Sequence, residues 1–152
     1  MRILIIDDAG QHKWETVAYT CTDVRGETVY ITQEGLQYSR DALRRKHQYP
    51  LLERLDELCK DLAHPDIVIW DPSLQAQDTL LYYRRVHFQA IDCHQLVCLV
   101  VKVRAGLEYF YNVFIQQSGK VKGYNAWPPA AFHIWYINPR KRPKHFGIRG
   151  AT

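Results

Sequence analysis

The sequence predicts an α+β fold, in which N-terminal strands and two helices pack on a twisted antiparallel β-sheet. Apolar residues recur at helical spacing across residues 51–62, and three runs rich in β-branched and aromatic residues follow across 80–116. Helices that precede a series of strands are typical of α+β domains. The chain of 152 residues is long enough for one domain. We place that domain at 1–137 and a basic C-terminal tail at 138–152.

The N-terminal region is predicted to contain strands at residues 3–6, 17–22 and 28–32. Gly26 supplies the turn of a hairpin between the last two strands. Thr32 is a suitable N-cap, and a first helix is expected to run from there to about Lys46.

Pro50 suits the first position of a second helix, whose apolar face continues to Leu62 and which ends before Pro65. A short strand is predicted at 67–70. The later strands are predicted at 80–88, 96–103 and 109–116, with a short edge strand at 132–137.

Side-chain alternation assigns the faces of these strands. Tyr83, Arg85 and His87 are predicted on one face of their strand and Arg84 on the other, while Lys102 shares a face with Cys98. The four cysteines form no CxxC pair. Reduced, mostly buried thiols are therefore expected rather than a zinc site.

The N-terminus lacks the long apolar core of a signal peptide. No run approaches the ~18 apolar residues of a membrane-spanning helix. The expected location is cytoplasmic, without membrane association.

Charge is segregated along the chain. The protein has 20 Lys and Arg and 16 Asp and Glu, but residues 109–152 hold seven of the cations and no Asp or Glu. The first 108 residues therefore hold 13 cations against 16 anions. Aromatic residues are interleaved with the C-terminal cations. This pattern indicates a polyanion partner, with RNA as the first candidate. The alternative is a basic surface that serves solubility, with the aromatic residues in the core.

Several strand positions carry polar residues that a purely structural strand does not require. Arg84 or Arg85, with Lys102 and Asn112 on neighbouring strands, could form an electropositive pocket for a phosphodiester. The alternative is that each side chain lies at a strand end or reaches solvent along its aliphatic stem. His47 lies among cations at the end of the first helix, where His is also favoured for structural reasons.

Carboxylates are sparse in the predicted sheet, and the sequence contains no P-loop, HExxH or GxSxG motif. Two-metal nucleases need clustered carboxylates. An RNA-cleaving activity is therefore expected to need no metal and no other cofactor. It would proceed by attack of the ribose 2′-hydroxyl on the adjacent phosphate, with one side chain as base, another as acid and cations stabilising the transition state.

The order of the motifs resembles the phage-associated branch of the barnase–EndoU–colicin–RelE-like (BECR) nuclease superfamily, over residues 29–127. The matching motifs are a helix that ends in Arg45-Lys46-His47-Gln48-Tyr49-Pro50, a strand after Pro65-Asp66, the Tyr82-Tyr83-Arg84 strand, an apolar strand that ends at Lys102, and the basic turn Lys120-Val121-Lys122-Gly123. Where the family pattern has Thr and Tyr, this chain has Asn112 and Phe114.

The resemblance implies His47 as general acid or base, Arg84 or Arg85 and Lys102 as phosphate contacts, and Asn112 as a positioning residue. Tyr83 would orient or stack a base. The expected substrate-binding set is Tyr83, His87, Lys120, Lys122, Arg140, Lys141 and Arg142.

The leading hypothesis is a metal-independent, toxin-like endoribonuclease that acts on RNA, including tRNA or ribosome-associated mRNA. The alternative is a catalytically inactive RNA- or protein-binding module on the same fold, since Phe114 cannot transfer a proton. An acidic antitoxin or immunity protein is a further candidate partner, with the tail at 138–152 as its contact.

Overall fold

The computed structural model describes residues 1–76, 78–117 and 119–122, together with the backbone of 133–134 and 148–149. Within these residues, seven strands form one sheet in the order β1-β2-β3-β7-β6-β5-β4. They are β1 (Arg2–Ile6), β2 (His12–Thr22), β3 (Thr28–Thr32), β4 (Ile67–Trp70), β5 (Thr79–Phe88), β6 (Cys93–Arg104) and β7 (Leu107–Ile115). A separate two-stranded ladder joins β8 (His133–Ile134) and β9 (Ile148–Arg149). The rest of the predicted strand at 132–137 and most of the tail lie outside the described residues.

The α+β class is confirmed, but the prediction of a wholly antiparallel sheet is wrong. β3 and β7 are parallel neighbours, paired through Tyr30 and Tyr109, whereas the other neighbours in the sheet are antiparallel. Parallel strands need a long crossover connection, and here the crossover comprises everything from the first helix to β6. Local sequence patterns do not predict a pairing between strands so far apart in the chain.

The first helix, α1 (Gln33–Arg45), begins and ends as its termini predict. The Thr32 hydroxyl accepts the Gly35 N–H at 2.9 Å, and a Cβ at Gly35 would lie only 2.8 Å from that oxygen. At the other end, the Gln48 N–H donates to Leu43 O and the His47 N–H to Arg44 O, with His47 at φ 54°. This is a Schellman motif, and His47 occupies its left-handed position.

The predicted second helix is not one continuous α-helix. A 3₁₀ helix spans Tyr49–Asp56, and α2 (Leu58–Ala63) follows it. Leu51, Leu55, Leu58 and Leu62 are nevertheless all buried. Apolar spacing specifies which side chains face the core, but it does not distinguish the two hydrogen-bond patterns over short pieces.

The sheet has two faces, which we call the helix face and the far face. The helices pack on the helix face, where Leu43 and Leu62 join a core with Tyr82, Leu99 and Val113. The far face carries two smaller apolar clusters, one around Tyr83 and Cys98 and one around Ile5 and Tyr109. The predicted division of β5 and β6 side chains between two faces is therefore confirmed.

The expectation of four reduced thiols is wrong for two of them. Cys21 of β2 and Cys59 of α2 form a disulfide, with a Cα–Cα distance of 4.9 Å. Cys93 and Cys98 are free thiols, and Cys98 is buried. The two paired cysteines are 38 residues apart in the sequence, and their spacing matches no motif that would predict the bond.

Candidate functional site

Lys102 lies on the far face in a group of polar side chains. Its ammonium donates to the Thr79 hydroxyl at 2.9 Å and lies 4.9 Å from the centre of the Tyr111 ring. Thr79 faces Lys102 directly in the β5–β6 register, which explains the contact. The Asp8 carboxylate is 4.0 Å from the same ammonium. Lys102 is thus a buried cation, held by its strand neighbour Thr79 and close to Asp8.

Arg104 joins this group two residues later in β6. Its guanidinium donates to Asp8 at 2.7 Å, to Asp78 at 2.5 Å and to Ile6 O at 2.6 Å. Burial opposes its charge, but the bonds to Asp78 and Asp8 outweigh that effect and raise the pKa of Arg104. Arg104 is therefore a fixed cation that positions Asp8.

Asp8 and Tyr111 form the accessible part of the group. The Tyr111 hydroxyl donates to Asp8 Oδ2 at 2.5 Å. This bond, followed by the bond from Arg104, lowers the pKa of Asp8. The same bond, together with burial, raises the pKa of Tyr111 to about 12. At neutral pH the pair therefore combines an ionised carboxylate with a protonated phenol.

A β-bulge explains why Tyr111 reaches Asp8. In the β6–β7 register Val100 faces Asn112 and Val101 faces Phe110, so Tyr111 is an extra residue on β7. Bulges redirect side chains, and they are frequent beside active sites. We call Asp8, Asp78, Thr79, Lys102, Arg104 and Tyr111 the far-face cluster.

A cleft of about 470 Å³ borders the cluster, between the β1–β2 connection, the first turns of α1 and β7. Asp8 and Tyr111 line both the cleft and the cluster. We call it the α1 cleft. Four carboxylates and one ammonium line it: Asp7, Asp8, Glu15, Glu34 and Lys13. Tyr38, Tyr109, Phe110 and Tyr111 supply its rings. Its size lies within the roughly 300–1,000 Å³ usual for small-molecule sites.

The other predicted site residues on the far face do not join the cluster's hydrogen bonds. Tyr83 is fully buried, its hydroxyl accepts the Lys122 N–H at 3.2 Å, and burial raises its pKa. The Lys122 ammonium pairs with Asp71 at 2.9 Å. Asn112 faces Val100 in the register, and its side-chain oxygen accepts the Val113 N–H at 2.9 Å.

The β5–β6 hairpin carries the next two predicted residues. The His87 ring bonds to Asp92 at 3.0 Å and lies 4.8 Å from the ring of His94. Arg85 is exposed, and its backbone N–H donates to Asp66 at 2.8 Å. Both residues lie in β5 beyond Tyr83, away from the end of the strand that carries Thr79.

Two predicted catalytic residues lie on the helix side of the sheet. Arg84 donates to the buried Asp61 at 2.7 Å, and Arg54 bonds to the same carboxylate. His47 follows α1 in the helix layer, where it is exposed, and its Nδ1 lies 3.1 Å from the Tyr49 hydroxyl. His47 and Lys102 are therefore on opposite sides of the sheet.

The remaining predicted contacts lie in the C-terminal part. Lys120 is exposed after β7. Arg140, Lys141 and Arg142 lie outside the described residues, as does most of the basic, aromatic segment.

Sequence reasoning missed Asp8, Thr79, Arg104 and Tyr111 as site residues. Alternation along β6 was sufficient to place Arg104 on the face of Lys102. Nothing in the sequence placed Asp8 beside Tyr111, because 103 residues separate them and a bulge aims the ring.

Among the described residues, no group of three or more His, Cys, Asp and Glu side chains could hold a metal ion. None of the helices in that part of the chain has the length and apolar character needed to cross a membrane.

No protein-family model, curated protein or solved structure matches the chain. The resemblance to BECR nucleases remains a prediction that rests on motif order.

Proposed function

We propose that this chain is a metal-independent endoribonuclease of the BECR type, which cleaves RNA through its 2′-hydroxyl and leaves a 2′,3′-cyclic phosphate. One observation carries the proposal: the Lys102 ammonium and the Tyr111 hydroxyl both lie against Asp8, and Asp8 and Tyr111 line the α1 cleft. The reaction needs a general base, a general acid and a cation that stabilises the transition state, and an ionised carboxylate, a phenol and a lysine can fill these three roles.

In this mechanism Lys102 contacts the phosphate and stabilises the negative charge that develops on it. Asp8, oriented by Arg104, takes the proton from the 2′-hydroxyl while the bond from that oxygen to phosphorus forms. The bond from phosphorus to the 5′-oxygen breaks, and Tyr111 protonates the leaving oxygen. Asp8 then returns its proton to the Tyr111 phenolate along their hydrogen bond, so both groups regain their starting forms.

The pKa directions give both groups the starting protonation states that these roles need, although they also make Asp8 a weaker base and Tyr111 a weaker acid. The lowered pKa of Asp8 keeps it ionised at neutral pH, and the raised pKa of Tyr111 keeps it protonated. An alkoxide is more basic than a phenolate, so the leaving oxygen still takes the proton from Tyr111.

The test is a cleavage assay in excess EDTA, with total RNA and a short single-stranded RNA as substrates. We expect the wild type to produce 2′,3′-cyclic phosphate ends, and Lys102→Ala and Tyr111→Phe each to lose about 10²–10³-fold in rate. Lys60→Ala is the matched control, since Lys60 is an exposed lysine of α2 on the helix side. Wild-type cleavage by both site variants would reject the assignment, and strict dependence on added metal would reject the mechanism.

His47→Asn separates the cluster from the residue that the superfamily resemblance implies. His47 has φ 54°, a conformation that Asn adopts more easily than Ala. We expect this variant to keep its activity. Loss of cleavage with an unchanged melting temperature would instead assign catalysis to the end of α1.

A second candidate function is a non-catalytic module that binds RNA or an acidic protein. Two observations favour it: Lys102, Arg104 and Arg84 already have polar partners within the protein, and the chain has Asn112 and Phe114 in the positions of the family Thr and Tyr. Salt-sensitive RNA binding without any product would support this function.

A further inference from the structure

We infer that the Cys21–Cys59 disulfide is a thiol-exchange site, at which a small thiol peptide that carries carboxylate groups becomes bonded to Cys59. The two cysteines differ in their access to solvent. Cys21 is 3% exposed and packs in the helix-face core with Val29 and Leu43. Cys59, in contrast, is exposed on α2. Exchange at a disulfide depends on which sulfur the attacking thiolate can reach. Cys59 is therefore the sulfur that is attacked, and Cys21 is the sulfur that leaves.

Cys59 also lines a pocket of about 410 Å³ on the helix side of the sheet, which we call the thiol pocket. Its walls come from β2, α1, the 3₁₀ helix and α2, and they include the apolar side chains of Leu36 and Leu55 and the ring of Tyr19. The volume lies within the roughly 300–1,000 Å³ usual for small-molecule sites. A small peptide can therefore lie in the pocket with its sulfur against Cys59.

The charges in the thiol pocket favour a zwitterionic ligand. Two cations and two carboxylates line it, among them Arg40 of α1 and Asp56 of the 3₁₀ helix. Within the part of the chain that the structure describes, none of these four groups has an ion-pair partner. A glutathione-type tripeptide carries two carboxylates and one ammonium, so it can pair with both kinds of charge. Arg40 is best suited to a carboxylate, because a guanidinium binds it through two parallel hydrogen bonds.

The step exchanges one disulfide for another. The sulfur of the incoming thiolate bonds to Cys59 Sγ while the bond between Cys59 and Cys21 breaks, and the electron pair of that bond remains on Cys21 Sγ. Cys21 then takes up the proton that the incoming thiol lost. The small thiol is oxidised and Cys21 is reduced, so no further oxidant or reductant takes part. The covalent link between α2 and β2 is lost in the product.

The first experiment uses the wild-type chain, so it needs no variant and no RNA cleavage. The oxidised protein is incubated with reduced glutathione, quenched by rapid alkylation and digested, and mass spectrometry locates the glutathione adduct. We expect the adduct on Cys59, at least about 10-fold more abundant than on Cys21, because attack requires access to the sulfur. Cys21 should be recovered in its alkylated form. An adduct chiefly on Cys21, equal adducts on both cysteines, or no adduct on either would overturn the inference.

A second experiment tests whether the thiol pocket selects its ligand. Cys21→Ser leaves Cys59 as a free thiol, and its rate of mixed-disulfide formation is measured with glutathione disulfide and with uncharged hydroxyethyl disulfide. Cys93 is the internal reference, because it is a half-buried free thiol that does not line the pocket. Relative to Cys93, Cys59 should favour glutathione disulfide by about 5-fold, the effect of one good exposed ion pair.

Arg40→Ala in the Cys21→Ser background should remove this preference, because no guanidinium then pairs with the ligand carboxylate. Arg44→Ala is the matched control, since Arg44 is exposed one turn later in α1 and does not line the pocket. Equal reaction of Cys59 with both disulfides, or a preference that survives Arg40→Ala, would reject recognition by the pocket. An equal loss in the two arginine variants would also reject it, in favour of a general attraction to the protein surface.

Discussion

Each face of the sheet carries a carboxylate bonded to arginine, but the two carboxylates differ greatly in their exposure to solvent. On the helix face, Asp61 has a fully buried side chain between Arg54 and Arg84. On the far face, Asp8 is 58% exposed between Arg104 and Tyr111 and borders a cleft. A buried carboxylate that loses a partner has no water to replace it, whereas an exposed one can exchange partners for a ligand. The first arrangement suits stability, and the second suits chemistry.

The largest effect should follow from removal of Asp61. Asp61→Ala leaves two partly buried guanidinium groups without their shared partner, and such a change costs about 3–5 kcal/mol of unfolding free energy. Urea unfolding measures it. Asp92→Asn is the control, because that carboxylate is 93% exposed and Asn also adopts its left-handed backbone conformation (φ 46°), and it should leave stability nearly unchanged. A loss for Asp61→Ala as small as that of the control would remove the distinction between the faces.

The disulfide should give the next largest effect, again on the helix side. Cys21 and Cys59 fix α2 to β2 across a separation of 38 residues. The double variant Cys21→Ser/Cys59→Ser should lose about 2–4 kcal/mol, chiefly because its unfolded chain is less restricted. Urea unfolding of the oxidised wild type and of the double variant measures the loss. Equal stability of the two proteins would contradict the prediction.

Sequence patterns were sufficient for the parts of the fold that depend on neighbouring residues. The Thr32 cap, the strand after Pro65-Asp66 and the alternation that separates Tyr82 from Tyr83 are all local. The parallel β3–β7 pairing and the disulfide depend instead on the global path of the chain. Such contacts leave no local periodicity.

The candidate site was harder to predict than the fold for the same reason. A lysine in an apolar strand is conspicuous, so the sequence points to Lys102, and side-chain alternation predicts its face correctly. Its neighbours Asp8 and Tyr111 are 103 residues apart in the sequence, and they meet where a bulge redirects the Tyr111 ring. Motif order points instead to His47 and Arg84, which lie on the opposite side of the sheet from Lys102.

Asp8→Asn should separate activity from stability on the far face. The amide keeps the size of the carboxylate but cannot take the 2′-hydroxyl proton, so cleavage should fall about 10²-fold. Unfolding free energy should fall by less than about 1 kcal/mol, as is usual for exposed ion pairs. Both the cleavage rate and the unfolding free energy must be measured for this variant. A stability loss as large as that of Asp61→Ala would mean that Asp8 has a structural role.

Tyr111 should leave a signature at alkaline pH. Its pKa is raised from 10.0 to about 12, so its stabilising contribution is full below the ordinary pKa and is lost as pH rises towards 12. Tyr111→Phe should lack this loss, and the stability difference between wild type and variant should shrink as pH rises through that window. Urea unfolding across the window measures the difference, in which the other tyrosines cancel. A difference independent of pH would mean that the Tyr111–Asp8 bond does not persist in solution.

The smallest effect concerns a carboxylate of the helix face whose pKa moves opposite to that of Asp8. Burial raises the pKa of Glu108 above 4.5, although its bond to Arg25 opposes this. A raised carboxyl pKa means that its stabilising contribution is present below the unfolded pKa and is lost as pH rises through the folded pKa. For Asp8, whose pKa is lowered, the contribution is present above the ordinary value of 3.8 and lost as pH falls.

Glu108→Gln should therefore change unfolding free energy by no more than about 1 kcal/mol at neutral pH, because the burial penalty of the charge disappears with its bond to Arg25. The stability difference from wild type should move in favour of Gln as pH rises past about 4.5. For Asp8→Asn it should move in favour of the wild type as pH rises through the acidic range. Urea unfolding of the three proteins at acidic and neutral pH gives both slopes. If the two stability differences change with pH in the same direction, burial does not distinguish the two carboxylates. The electrostatic contrast between the two faces would then be wrong.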